Sequence, residues 1–522
     1  MAAVEPPAVE PAGPVGPAPA PAPAPGVLDL YRAVWDALRG TIARHQIAIA
    51  LEIALVAIWF LLRTRYGVES RPYLVWTVVA AGVALISPAS GLVLLAATGP
   101  FFEPVTIGGD LGMRHLLVVI LGISVVIRLV AGGWRRMPWS PPVILAIAIG
   151  ALTALGVVNT YQGFDRLFAE HAARSWLSSV GGAMVILLVA TWAARDGTWR
   201  PFAAALGAAV VAGLLSLIDH FATGAIATGP LAWIGFWKDF NGRMGGAVPS
   251  PNGMGALLIV PTAVLIFWGV LHRGRWAPRA AALLLAVPLV VALYVTYSRA
   301  ALLALFIVAV VLGWRVRRPL GVAILAVGIA GGAILLPGYL QLRSQSALEG
   351  GVTAGSILVA SDEYRFRAWD AASKMWLDQP LVGHGFLAYR QLGPAYGDPV
   401  LGSPHNEWLR LFAEEGTVGG LVGLGFVATT LWRLARRKDA ISGGILAGIA
   451  GYFLMASFNN PFLFIQISAV VFVALGYGLA RARRQPADAA EDAPSPADAP
   501  SPEDAPRTEE DPPPADLAPT PA

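Results

Sequence analysis

The sequence predicts an all-α, polytopic bundle of 12–14 helices in a bilayer, and three observations carry that expectation. Of 522 residues, 56% are hydrophobic and 13% charged, with a mean hydropathy of +0.62. Soluble domains average ~25% charged residues, so an ordinary soluble enzyme is excluded. Apolar runs recur at spanning length, ~20 residues for a ~30 Å hydrocarbon core. Lysine and arginine gather between alternate runs, as orientation signals do.

The elements follow in chain order. Residues 1–26 are mostly Ala and Pro, and 485–522 are Pro, Ala, Asp and Glu. Neither tail has the large apolar side chains that offset the entropy of ordering, so both are expected to be disordered. The first lacks the basic start and apolar run of a signal peptide. Ten carboxylates against Arg507 give the second a charge of −9, so the rest of the chain carries +13 of the net +4. That excess reads as membrane orientation, not as a nucleic-acid surface. The membrane domain occupies 27–484. Its candidate spans lie near 46–62, 73–87, 89–102, 113–130, 141–158, 176–194, 201–219, 252–271, 278–297, 300–315, 320–336, 408–432, 441–458 and 461–480. The second and third are short and meet at Pro88, as a re-entrant pair or one broken helix.

Basic loops set the orientation. With Arg32, Arg39 and Arg44 cytoplasmic, the inward loops carry Arg135 and Arg136; Arg195 and Arg200; Arg273, Arg275 and Arg279; Arg315, Arg317 and Arg318; Arg433, Arg436, Arg437 and Lys438; and Arg481, Arg483 and Arg484. Both termini then lie in the cytoplasm. Arg63, Arg65 and Arg71 break the alternation after the first span. One long loop, about 337–407, falls outside the membrane on the other face, and loops of that length are usually functional. Within it Ser361-Asp362-Glu363 reads as a helix start. Phe366, Trp369, Ala372 and Trp376 recur at helical spacing, so 362–378 should be an amphipathic helix on the bundle or lipid surface. Pro380 ends it, and Gly383-His384-Gly385 makes the following turn.

Chemistry-bearing residues are few. The segment 278–315 is ~57 Å long as one helix at 1.5 Å per residue, which suits two crossings with a turn at Tyr297-Ser298-Arg299. Arg299 reads either as an interfacial anchor that snorkels or as a site cation. Arg365 and Arg367 read as a solvated helix face or as a phosphate clamp, since a guanidinium is a planar fork that stays charged. His405-Asn406, stiffened by Pro404, sits where the long loop re-enters the membrane, followed by Glu407, Glu414, Glu415 and Gly416. A histidine there is either a base near neutral pH or a headgroup-facing helix residue. His384 competes but lies in a glycine turn. The seven histidines are scattered, Asp239 and Asn241 lack an acidic cation pattern, and no phosphate-cradling glycine loop occurs, so no metal or cofactor is expected. With no cysteine, disulfides and thiol chemistry are excluded.

Four segments in order carry a resemblance: Pro251-Asn252-Gly253 with Pro261; Tyr297-Ser298-Arg299-Ala300; Arg365-Phe366-Arg367-Ala368-Trp369 leading to Pro380-Leu381-Val382-Gly383-His384-Gly385; and His405-Asn406-Glu407-Trp408-Leu409 through Glu414 and Gly416. Over roughly 240–425 the chain resembles the O-antigen ligase and polymerase family of bacterial surface-glycan assembly. The resemblance implies a metal-independent glycosyltransferase of GT-C type in the cytoplasmic membrane, acting on its outer face. The donor would be a polyprenyl-diphosphate-linked glycan such as an undecaprenyl one, and the acceptor a lipid A core sugar of lipopolysaccharide, another lipid-linked repeat or a protein hydroxyl. It further implies that Arg299, Arg365 and His405 are catalytic, and that Arg299, Arg365, Arg367, Asn406 and Glu414 contact the diphosphate or glycan. Membrane lipids are the remaining partner. The rival reading is a transporter, a flippase of lipid-linked glycans. It predicts charges along a central cavity and short loops only.

Overall fold

A computed structural model describes residues 46–62, 65, 71–101, 113–130, 137, 139–222, 243–246, 248, 250–272, 276–348, 354–398 and 402–481, with the backbone alone at 113, 335–348 and 354–362. Both tails, Asp239, Asn241 and the side chains of Ser361 and Asp362 lie outside the described residues. The chain divides into Met1–Ala54 and Leu55–Ala522. Of the first unit, 46–54 is described and is helical. Apart from the start of the helix Gln46–Leu62, all that follows concerns the second.

The described residues are about 85% helical, with no strand among them. Among the described residues, seven helical stretches are long and apolar enough to cross a bilayer: Pro141–Gly163, Arg166–Arg195, Arg200–Phe221, Pro251–Leu271, Trp276–Val295, Arg299–Val316 and Glu407–Ala435. Gln46–Leu62, Arg71–Ile86, Pro88–Thr98, Arg318–Ile334, Ala440–Ala456 and Ile465–Arg481 are shorter and apolar. Outward-facing side chains are apolar too: Val78 is 69% exposed, Leu284 73% and Val327 72%. Water would charge ~1.5–3 kcal/mol for each such side chain, whereas lipid does not. The chain is an all-α, multi-pass membrane protein.

The helices that position the site are α1 (Pro251–Leu271), α2 (Trp276–Val295), α3 (Arg299–Val316), α4 (Arg318–Leu348), α5 (Ala354–Asp378), α6 (Glu407–Ala435), α7 (Ala440–Ala456) and α8 (Ile465–Arg481). Helices α1 and α7 run antiparallel at close range. A Cβ on Gly448 would lie 2.7 Å from the Val260 Cα, and one on Gly444 2.6 Å from the Val264 Cα. This small-xxx-small pair lets the backbones touch, the usual device where lipid offers no hydrophobic drive. Gly255 meets Ala301 and Gly451 meets Ala304, so α3 lies alongside both. The starts of α1 and α3 and the end of α7 therefore share one end of the bundle. At the other end Arg315 donates to the Arg437 and Ala435 carbonyls, and Arg437 to the Arg481 carbonyl. Of the basic residues expected in inward loops, Arg315, Arg437 and Arg481 meet there.

Several boundaries differ from the sequence reading. The pair around Pro88 is two helices, with Ser87 capping the second through Ser90 N. A Cβ on Gly91 would meet that of Ala84, so the chain doubles back there. The stretch Arg166–Arg195 breaks at Ser178 and Ser179 into a helix Arg166–Leu177, capped by Asp165, and a helix Val180–Arg195 that takes the run expected at 176–194. Helix α4 continues to Leu348, into the segment expected as loop from 337, and α5 begins at Ala354 rather than at Asp362. In the second extension Ile357-Leu358-Val359-Ala360 runs directly into the cap motif, and a cap motif starts a helix only where nothing upstream continues it. The expected continuous span 408–432 is broken at Gly416, with φ 67° and ψ −169°. The turn after α5 fills the gap. Thr417 N donates to the Pro380 carbonyl at 2.7 Å, and Gly385 N to the Glu414 carbonyl at 2.8 Å. A Cβ on Gly416 would fall 2.2 Å from the Leu381 oxygen, so only glycine fits.

Candidate functional site

Three elements converge on a hollow of about 280 Å³, close to the lower end for small-ligand sites, roughly 300 Å³. Asn252 comes from the first turn of α1, where Ser250 accepts from Gly253 N at 2.9 Å. Arg299 opens α3 behind its cap Ser298. Arg365, Phe366 and Trp369 come from α5, which is anchored by Ala368, Ala371, Ala372 and Met375 packed around Tyr389 and Ala413. Arg243, Tyr297 and Phe458 complete most of the wall. Among the described residues no carboxylate lines it. Two helix N-termini and three guanidiniums thus face one space, and both kinds of charge favour an anion.

The structure brings Arg299 and Arg365 together at this hollow. His405 is not on its wall; it lies close enough to Arg365 to feel that charge. Burial, then the Arg365 guanidinium, push the His405 imidazolium below the usual histidine range, while a hydrogen bond with Asn459 and the Asp398 carboxylate partly oppose them. The ring is therefore neutral at neutral pH. Its Nδ1 is buried with no hydrogen-bond partner among the described residues. The loop carrying it is tied down: His405 N donates to Ser403 Oγ at 3.3 Å, and Ser403 to Asn460 Oδ1 at 2.5 Å. Tyr297 and His405 both have positive φ, 46° and 49°. Such backbone is rare for bulky residues and clusters at functional sites.

The other sequence candidates are engaged elsewhere. Arg367 pairs with Glu363 one turn away on the exposed face of α5, at 2.5 Å. Asn406 caps α6, accepting from Trp408 N and Leu409 N at 3.1 Å each. Glu414 is buried against Arg410 at 2.6 Å, with Glu407 bound to the same guanidinium. His384 bonds the Met375 carbonyl at 3.0 Å, holding the turn after α5. Sequence reasoning passed over Arg243; its loop has no periodicity, and a basic residue a few positions before a helix cap was the only available signal.

Residues 281–424 match the family model described as O-antigen ligase. This stretch belongs to the O-antigen ligase family. It contains Arg299, Arg365 and His405, while Arg243 and Asn252 lie before it. No curated protein matches the chain. Together with the apolar helices, this match supports a membrane enzyme of O-antigen ligase/polymerase type, a family that implies in general a lipid-linked glycan donor and a glycan acceptor.

Proposed function

We propose that the protein transfers a glycan from a polyprenyl diphosphate to an acceptor hydroxyl at the outer face of the cytoplasmic membrane. The observation that carries this is the meeting of Arg299 and Arg365 at a hollow without a lining carboxylate among the described residues, next to a histidine kept neutral. The bond between the anomeric carbon and the diphosphate oxygen breaks, and its electron pair leaves with the diphosphate. The two guanidiniums stabilise the charge that gathers there. The acceptor oxygen bonds the anomeric carbon from the opposite side, inverting it, and its proton passes to the His405 ring. Tyr297, Phe366, Trp369 and Phe458 supply aromatic faces for sugar rings. A second hollow, lined by Leu302, Leu303, Phe306, Ile329 and Ala333, meets the first at Arg299 and Leu303. It opens sideways between α3 and α4 and suits an isoprenoid chain. The basic residues at the far end of the bundle support an outward-facing site, with both termini inside. The acceptor is a lipid A core sugar, a second lipid-linked repeat or a protein hydroxyl.

Reconstitution with a polyprenyl-diphosphate oligosaccharide and candidate acceptors tests this. A product ladder identifies a polymerase and one discrete adduct a ligase. His405→Ala should lower the transfer rate by ~10²–10⁴-fold, the usual worth of a general base. Arg299→Lys should be damaging despite its charge, since an ammonium lacks the fork. Wild-type transfer by both variants would remove the reading.

A further inference from the structure

Pro251-Asn252-Gly253 has no part in the chemistry above, and Arg243 lies outside the family match. Both Asn252 and Arg243 nevertheless stand on the wall of the hollow. Arg243 Nε donates to the Thr296 carbonyl at 3.0 Å, and Nη2 to Asn252 Oδ1 at 3.2 Å. The anchors come from two separate elements, one from the turn into α3 and one from the first turn of α1. The backbone is pinned as well, with Met244 N on the Val295 carbonyl at 3.0 Å.

The chemistry of those anchors separates a tie from a ligand group. Both acceptors are neutral, a peptide carbonyl and an amide. They fix the plane of the guanidinium without cancelling its charge, and they leave Nη1 without a hydrogen-bond partner among the described residues. An arginine serving only to hold the loop is stabilised most by a carboxylate, as Arg410 is by Glu407 and Glu414. Burial first, then Arg365 and Arg299, hold the Arg243 guanidinium below the usual arginine range. Three like charges so close repel one another, and an anion between them relieves that cost.

We infer that Arg243, aimed by Asn252, is a third cation of the anion site, and that the three together select a diphosphate-linked donor over a monophosphate-linked one. This rests on the donor reading above. A sugar–diphosphate–lipid carries two negative charges across its bridge and a sugar–monophosphate–lipid one, so a third guanidinium has a partner only in the first. Arg243 would bind substrate directly; Asn252 would act as a positioning residue through it.

The test titrates the purified full-length protein in nanodiscs with farnesyl diphosphate and farnesyl monophosphate by calorimetry, alongside the melting temperature. Wild type should prefer the diphosphate. Arg243→Gln should weaken diphosphate binding roughly 10- to 100-fold, as loss of charge-assisted hydrogen bonds does, and monophosphate binding much less, so the preference collapses. Asn252→Ala should shift the preference the same way by a smaller factor, and Arg243→Lys should not restore it. Unchanged diphosphate affinity in Arg243→Gln, or equal weakening of both ligands with a lowered melting temperature, would overturn the inference alone. Failure of the wild type to bind farnesyl diphosphate would overturn the donor reading and this inference with it.

Discussion

Two of the arginine sites among the described residues are built on opposite plans. At the hollow, Arg243, Arg299 and Arg365 share a space that no described carboxylate lines. Near the break in α6, Arg410 is 1% exposed and lies between Glu407 and Glu414, with its guanidinium 5.5 Å from the Phe386 ring. Asn460 completes the second group by donating to Glu407 at 3.2 Å. From there Asn460 and Ser403 lead to the backbone of His405. The enclosed group is thus a support for the loop bearing the base, and the open group is a receptor. What separates Arg410 from Arg243 is whether the guanidinium is met by acids or by neutral acceptors. A guanidinium paired with acids has nothing to offer a ligand, while one held by neutral acceptors keeps its field.

The largest difference should appear in stability. Arg410→Ala leaves two acids buried without their cation, which costs ~3–5 kcal/mol; the variant should be depleted from membranes and melt far below wild type. Restoring neutrality with Arg410→Met, Glu407→Gln and Glu414→Gln together should recover much of the melting temperature. Arg299→Ala, exposed at the hollow, should melt close to wild type while losing transfer. Equal melting losses at Arg410 and Arg299 would erase the distinction between the enclosed and the open arginines.

An intermediate effect concerns pH. Burial and Arg365 both disfavour the His405 imidazolium, so the free base persists below the ordinary histidine value of ~6.5. The acid limb of transfer should therefore fall below that value. The folded state also binds fewer protons than the unfolded chain in this window. This contribution to stability is complete above ~6.5 and declines as the pH drops toward the folded value. Arg365→Gln removes one depressing charge, so His405 should titrate at higher pH, read by NMR of labelled histidine assigned with His405→Ala. A downward move would show that the two side chains do not sense each other.

The smallest effect is expected at Arg367. Its pair with Glu363 lies on an exposed helix face, where i,i+4 pairs contribute ~0.3–0.5 kcal/mol. Arg367→Ala should change transfer by less than about twofold. A loss matching that of Arg365→Ala would bring Arg367 into the receptor group.

Much of this architecture is legible along the chain. Apolar run lengths mark the helices, the length of 278–315 demands a turn at Arg299, and Pro380 marks the end of α5. The pairing of Arg410 with Glu407 and Glu414 could also be read there, because opposite charges three and four residues apart on an apolar helix must neutralise each other. Asn406 directly before a helical run is a cap signal of the same kind. The break at Gly416 was not readable as one, since its cause is the Leu381 backbone pressing from 35 residues away in sequence.

The sequence by itself determined that this is a membrane bundle, where most of its apolar helices lie and which residues carry fixed charge. Those properties follow from local composition and period, which act over one or two turns. Only the tertiary structure decided which arginines stand together and which are neutralised. Arg243, Asn252, Arg299 and Arg365 lie on different segments, and the close approach of α1, α3 and α7 through small residues is what sets them around one space. Electrostatic role depends on neighbours in space and on exclusion of water, and neither is written at any single position of the chain.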